Sequence, residues 1–178
     1  MNLPNKLTMA RVIAVPVFIL LFLLGFRYSS AILFILASAT DFLDGYMARK
    51  RGLVTNFGKI MDPLADKVLV ISALCLLVEA GEVAGWMLIV ILAREFTVAG
   101  LRTVAAADGL VIAAGATGKI KTILQMIAVP LLLLLNWPFV YTGIPMDRIF
   151  LWASVVMTVV SGVEYVVKNR SVFTAQGM

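Results

Sequence analysis

The chain has 178 residues, of which 62% are hydrophobic and 14% charged, with 15 Lys and Arg against 10 Asp and Glu for a net charge of +5. Soluble domains are about 45–50% apolar, so this composition, with a mean hydropathy of +1.02, excludes an ordinary soluble globule and predicts an all-α integral membrane protein. Histidine is absent and there is one cysteine, which removes the usual general base near neutral pH, the commonest zinc ligand and any intramolecular disulfide.

A bilayer span needs about 17–25 apolar residues, and six helical spans are predicted, over about 8–24, 30–49, 58–78, 84–107, 118–137 and 147–167. Segments rich in Gly, Pro, Asn and Ser separate them, such as GFRYSS, EAGEVAG and NWPFVYTGIP. The first span follows a positive start and could be mistaken for a signal peptide. Arg11 lies inside its would-be apolar core and no small-residue cleavage site closes it, so a retained helix is expected. Cys75, within the apolar run of the third span, is expected to be a buried structural thiol. The whole chain, 1–178, is read as a single membrane domain, with little length left for a soluble module.

Lys and Arg set the orientation. With the N-terminus inside, one surface gathers Lys6, Arg11, Arg49, Lys50, Arg51, Lys59, Arg102, Lys119, Lys121, Lys168 and Arg170. The opposite surface holds Arg27 and Arg148 beside Glu79, Glu82 and Asp147. Both termini are therefore expected to face the cytoplasm. The basic face is placed to meet anionic lipid headgroups and phosphorylated substrates; no nucleic-acid partner is expected.

Between the second and third spans lies TDFLDGYMARKRGLVTNFGKIMDPLADK, residues 40–67. Residues three and four apart share a helix face, so Asp41 and Asp44 form one stripe with Gly45 and Ala48, and Gly58, Asp62 and Asp66 form another. The short connection makes the two helices antiparallel neighbours whose stripes lie near one membrane surface. Carboxylates brought together repel and hold protons unless cations neutralise them, and each carboxylate within a span costs about 2.5–3.5 kcal/mol on insertion scales. Hard divalent cations, Mg²⁺ or Mn²⁺, suit an all-oxygen donor set. A solvated helix end with salt bridges to Arg49, Lys50 and Lys67 is the plainer reading, and would suffice for one aspartate but not for four at matched spacing. Gly45 and Ala48 leave an open strip where a phosphorylated ligand could approach, or merely permit close packing.

The pattern Asp41-x2-Asp44-Gly45-x2-Ala48-Arg49-x8-Gly58-x3-Asp62-x3-Asp66 resembles in full the signature of the CDP-alcohol phosphotransferases. The resemblance implies six transmembrane helices, a homodimer, and a site at the cytoplasmic surface of the inner membrane. It implies an enzyme that joins an alcohol to the phosphoryl group of a CDP-linked partner and releases CMP. By the same likeness Asp41, Asp44, Asp62 and Asp66 ligate two divalent cations, and Asp66 also serves as general base. Gly45, Arg49, Thr55 and Gly58 match positions that serve the CDP-linked substrate, with Pro4, Asn5 and Thr8 as further candidates there. Thr55 and Asn56 read equally as capping residues before the third span.

NLPNKLTMARVIAVP at the start, LAREFTVAGLR at 92–102 and GKIKTILQM at 118–126 resemble one branch of that family, the bacterial phosphatidylglycerophosphate synthases. The branch implies CDP-diacylglycerol and glycerol 3-phosphate as substrates, phosphatidylglycerophosphate and CMP as products, and membrane lipids as surroundings. An acceptor with its own phosphate needs cations, and Arg94, Arg102, Lys119 and Lys121 are the candidates. Lys119 and Lys121 read equally as flanking charge at a membrane surface. Arg94 falls close to a cytoplasmic helix end or within a span; a cation in a span needs a partner, for which adjacent Glu95 is a candidate although helix neighbours point roughly 100° apart. Other acceptors, namely inositol phosphate, phosphatidylglycerol or serine, stay open at this point. So does a divalent-cation transporter, against which the crowding of the acids toward one face argues.

Overall fold

The computed structural model describes residues 3–51, 56–107, 109, 110, 112, 113 and 115–170, leaving aside the side chains of residues 3–8, 41–51, 56–63 and 66. Among these residues there are six α-helices and no strand: Leu3–Leu23 (α1), Arg27–Arg51 (α2), Asn56–Glu79 (α3), Gly85–Ala107 (α4), Ala116–Leu133 (α5) and Met146–Lys168 (α6). A short 3₁₀ turn, Phe139–Thr142, precedes α6. The expected all-α class is found, and each predicted span coincides with one helix.

The differences lie at the ends. α1 begins at Leu3 rather than near residue 8, because Pro4 falls in the first turn, where its missing N–H has no intrahelical acceptor to lose. α5 stops at Leu133 rather than near residue 137. There Leu135 and Asn136 take left-handed backbone angles, φ 55° and 61°. Asn136 N–H donates to the Leu131 carbonyl at 2.8 Å and Leu135 N–H to Leu132 at 3.2 Å, a Schellman closure. α1 ends the same way on Gly25 (φ 83°), with Phe26 N–H on the Leu21 carbonyl at 2.9 Å. Glycine enters that backbone region without a Cβ clash; the leucine does so without the usual sequence signal.

The chain divides into two compact units, Met1–Glu82 with Val129–Pro138, and Val83–Ala128 with Phe139–Met178. In the first, α1 packs along both α2 and α3, which meet each other over a shorter stretch. Phe18, fully buried on α1, packs on Phe34 of α2 with ring centroids 6.0 Å apart, and Leu69, Leu74, Leu77, Val129 and Leu132 are buried in the same unit. At one end Arg27 forms a salt bridge with Glu82 at 2.5 Å, donates to the Leu132 carbonyl at 3.4 Å and lies 5.5 Å from the Phe22 ring centre. Two charges predicted for the same membrane surface thus meet.

Cys75 corrects an expectation: it is exposed. α3 buries Ala65, Leu69, Ala73 and Leu76, whereas Leu64, Val68 and Cys75 follow another line of the same helix and lie open. A thiol in an apolar run is buried only where that run faces protein.

In the second unit α4 packs on α6, with Val98, Leu101 and Tyr165 buried together and Ile112 and Val166 against them. α6 mixes hydroxyl-bearing and apolar residues on its inner side and keeps an apolar outer side. Its buried face carries Ser154, Thr158 and Ser161 beside Leu151, Val155 and Tyr165, while Ile149, Trp152, Val156, Val160, Val163 and Val167 are each about half exposed. The inward hydroxyls are satisfied by their own helix: Ser154 Oγ donates to the Leu151 carbonyl at 2.8 Å and Thr158 Oγ1 to Ser154 at 2.6 Å. Small hydroxyl-bearing residues among the inward ones and large apolar residues outward suit a lipid solvent, where close packing rather than the hydrophobic effect joins helices.

Among the described residues, two helices are long and apolar enough to cross a membrane, Ala116–Leu133 and Met146–Lys168. The charged Arg94, Glu95 and Arg102 interrupt the apolar character of α4.

Candidate functional site

Asp41 and Asp44 sit on α2, and Asp62 and Asp66 on α3. The helical backbone is continuous through both segments, so each pair lies one turn apart on its helix, and the two helices meet. The four aspartate side chains lie outside the described residues, as do those of Pro4, Asn5, Thr8 and Arg49 and all of Thr55; Gly45 and Gly58 take their places on α2 and α3. Among the described residues no group of three or more Cys, Asp or Glu could hold a metal ion. Aspartate offers oxygen donors alone, the chemistry that hard divalent cations take.

One residue beside this region was read from sequence for orientation and for the retention of the first span, not for the site. Arg11 on α1 is 2% exposed, and its Nε donates to the Ala37 carbonyl of α2 at 3.3 Å. Thr40 Oγ1 donates to the same carbonyl at 2.7 Å. Ala37 precedes Asp41 by four residues and Asp44 by seven, the spacing of one helix face. The buried guanidinium therefore delivers positive charge to α2 one turn from the aspartate pair. The signal was present as a cation inside an apolar run, which a membrane helix keeps only for a purpose.

The second unit holds a built polar cluster. Arg94, midway along α4, has its side chain 13% exposed and donates from Nη1 to Glu95 Oε1 at 3.0 Å and from Nε to Ser161 Oγ on α6 at 3.2 Å. Lys121 on α5, whose side chain is 5% exposed, donates from Nζ to the same Glu95 Oε1 at 2.8 Å. The adjacent Glu95 is thus the partner of Arg94, since the long arginine side chain bridges the angular offset between neighbours. Two glycines make the room. A Cβ at Gly118 would stand 2.8 Å from Arg94 Nη2, and one at Gly162 would stand 3.1 Å from Arg94 Cγ. Neither glycine stood out in the sequence, because each acts only once α5 and α6 are laid against α4.

The two remaining cation candidates are placed otherwise. Arg102 lies eight residues beyond Arg94 on α4, about 12 Å along the axis, where its Nε donates to Tyr165 Oη at 3.1 Å and its guanidinium lies 5.6 Å from the Tyr165 ring centre. Lys119 is exposed. Two positions from Lys121, it falls on another face of α5. The structure therefore draws Arg94 and Lys121 together around one carboxylate.

Comparison with known proteins adds to this geometry. Residues 1–160 match the sequence model of the CDP-alcohol phosphatidyltransferases. A CDP-diacylglycerol–glycerol-3-phosphate 3-phosphatidyltransferase of Bacillus subtilis (strain 168) is 50% identical over 94% of this chain and 95% of its own length. An enzyme of the same name from Rickettsia bellii is 43% identical over 92% and 93%. A probable phosphatidylglycerophosphate synthase of Mycobacterium tuberculosis (strain ATCC 25618 / H37Rv) is 38% identical over 94% and 81%.

Proposed function

The chain belongs to the CDP-alcohol phosphatidyltransferase family, and from that premise we propose that it transfers the phosphatidyl group of CDP-diacylglycerol to glycerol 3-phosphate, giving phosphatidylglycerophosphate and CMP. The observation that carries this reading is the near full-length match, at 50% identity, to a relative named for that reaction.

The acceptor's free hydroxyl attacks the phosphorus that carries the diacylglycerol, a P–O bond forms there, and the P–O bond to CMP breaks. Asp66 accepts the hydroxyl proton. Asp41, Asp44, Asp62 and Asp66 would hold two divalent cations, Mg²⁺ or Mn²⁺, which when bound neutralise charge on the diphosphate and on the attacking and leaving oxygens. Gly45, Arg49, Thr55 and Gly58, with Pro4, Asn5 and Thr8, serve the CDP-linked substrate. Arg94 and Lys121 hold the acceptor phosphate: a guanidinium offers paired donors and the ammonium a compact charge, and Ser161 and Glu95 fix where the guanidinium lies. Arg102 and Lys119 add positive charge on the approach.

The chain is read as one domain over 1–178, with six membrane spans, both termini in the cytoplasm, a site open to the cytoplasmic face of the inner membrane, and a homodimer as the working form. The acyl chains need no dedicated pocket, because they stay in the bilayer while the head group reacts. The test is CMP release by purified protein from CDP-diacylglycerol and glycerol 3-phosphate, with and without a chelator. Labelled acceptors run in parallel identify the alcohol. CMP release with inositol phosphate, phosphatidylglycerol or serine but not glycerol 3-phosphate overturns the acceptor. Ion flux in proteoliposomes without CMP release overturns the enzyme.

A further inference from the structure

The cluster on α4 contains a carboxylate that the transfer reaction does not require. Glu95 Oε1 accepts from both Arg94 Nη1 (3.0 Å) and Lys121 Nζ (2.8 Å), so one oxygen ties together the two cations assigned to the acceptor phosphate. The three side chains are 13%, 17% and 5% exposed for Arg94, Glu95 and Lys121. Glu95 thus offsets part of the positive charge that Arg94 and Lys121 bring. A phosphate monoester carries close to two negative charges near neutral pH. It therefore gains from the pair of cations while being repelled by a resident anion held against them.

We infer that Glu95 is a built-in counter-anion of the acceptor-phosphate site. It positions Arg94 and Lys121 before substrate arrives, and it weakens the hold of that site on anions so that phosphate is bound in passing rather than retained. This rests on the reading of Arg94 and Lys121 as the acceptor site. Three observations carry it. The anchoring is asymmetric: Arg94 is fixed independently by Ser161 at 3.2 Å and walled by Gly118 and Gly162, so its location does not depend on Glu95 alone. Lys121 reaches the cluster from another helix, and its bond to Glu95 joins α5 to α4. The neighbouring Arg102, by contrast, is matched with a neutral phenol, Tyr165, so a carboxylate is not how this unit accommodates every cation.

The experiment measures inorganic phosphate and glycerol 3-phosphate binding by thermal shift on detergent-purified full-length protein, alongside steady-state kinetics. Glu95→Gln removes one negative charge from the site, and the phosphate concentration giving half the maximal shift falls at least fivefold. Inhibition by inorganic phosphate tightens by the same factor, while KM for CDP-diacylglycerol stays within twofold. Glu95→Asp, which keeps the charge, binds phosphate within twofold of wild type. An unchanged or raised half-saturating concentration in folded Glu95→Gln, or an equal fall in Glu95→Asp, overturns the counter-anion role. If Glu95→Gln does not fold, the pair Lys121→Gln and Glu95→Gln/Lys121→Gln serves, because the double variant does not strand the Lys121 ammonium without its carboxylate and Arg94 keeps its bond to Ser161. There, adding Glu95→Gln must again strengthen phosphate binding, and failure to do so overturns the role. Should Lys121→Gln and Arg94→Ala leave both phosphate binding and the KM for glycerol 3-phosphate untouched, the acceptor-site reading itself fails, and the inference with it.

Discussion

Replacing Gly118 by alanine probes the acceptor-phosphate reading through a residue that makes no bond of its own. The new Cβ would stand 2.8 Å from Arg94 Nη2, against an optimal separation of about 3.5 Å or more for non-bonded heavy atoms, so the guanidinium must retreat by several tenths of an ångström. It cannot do so freely. Nε is held by Ser161 at 3.2 Å and Nη1 by Glu95 at 3.0 Å, and Gly162 bounds the stem at 3.1 Å from a would-be Cβ. Giving up one hydrogen bond to a charged group costs about 1.5–3 kcal/mol, which at about 1.4 kcal/mol per decade is roughly 10- to 100-fold in affinity. Alanine also favours the helical backbone over glycine by about 1 kcal/mol, which offsets part of that cost in stability. The expected variant is therefore folded, with a thermal midpoint near that of wild type. Its KM for glycerol 3-phosphate rises 10-fold or more, and its KM for CDP-diacylglycerol stays within twofold. The assay is CMP release in mixed micelles with each substrate varied in turn. A well-folded Gly118→Ala enzyme with unchanged acceptor KM would refute the placement of the phosphate on Arg94.

Asp66→Asn removes the proposed proton acceptor and is expected to abolish CMP release while the protein still folds and binds CDP-diacylglycerol; normal turnover removes Asp66 from the base role. Lys121→Ala should raise the KM for glycerol 3-phosphate well beyond the effect of Lys119→Ala, because the first side chain is buried on Glu95 and the second is exposed; equal effects in kinetic titrations argue for plain surface charge. Phe18→Ala empties the contact between α1 and α2 and is expected to destabilise by about 3 kcal/mol, read as a lowered thermal midpoint in detergent, with KM values of the surviving enzyme unchanged.

The helices were legible because apolar runs of spanning length are hard to hide, and the aspartate signature was legible because helical spacing turns a string into a face. Helix ends were less so. The stop after Leu133 depends on a leucine in a backbone region where sequence leads one to look for glycine. The same limit appears in the polar cluster. That Arg94 needs Glu95 could be read from adjacency, but that Lys121 shares the same oxygen depends on how α5 lies against α4. Gly118 and Gly162 are two of 13 glycines, and only their close approach to Arg94 tells them from the rest. Cys75 shows the converse: its apolar neighbours made burial the natural expectation, yet half of a membrane helix's apolar surface is for lipid.

The early close of α5 has a bearing on the lipid around it. Its 18 residues span about 27 Å. With Lys119 and Lys121 in the first two turns, the apolar remainder from residue 122 to 133 is only about 18 Å long, against a hydrocarbon thickness near 30 Å. With Lys121 committed to Glu95, a span of this length would fit a bilayer by local thinning or by the Lys119 stem stretching toward the headgroups. Short or loosely ordered acyl chains accommodate it with the least deformation, and vesicles of graded chain length would register that mismatch as a graded change in turnover.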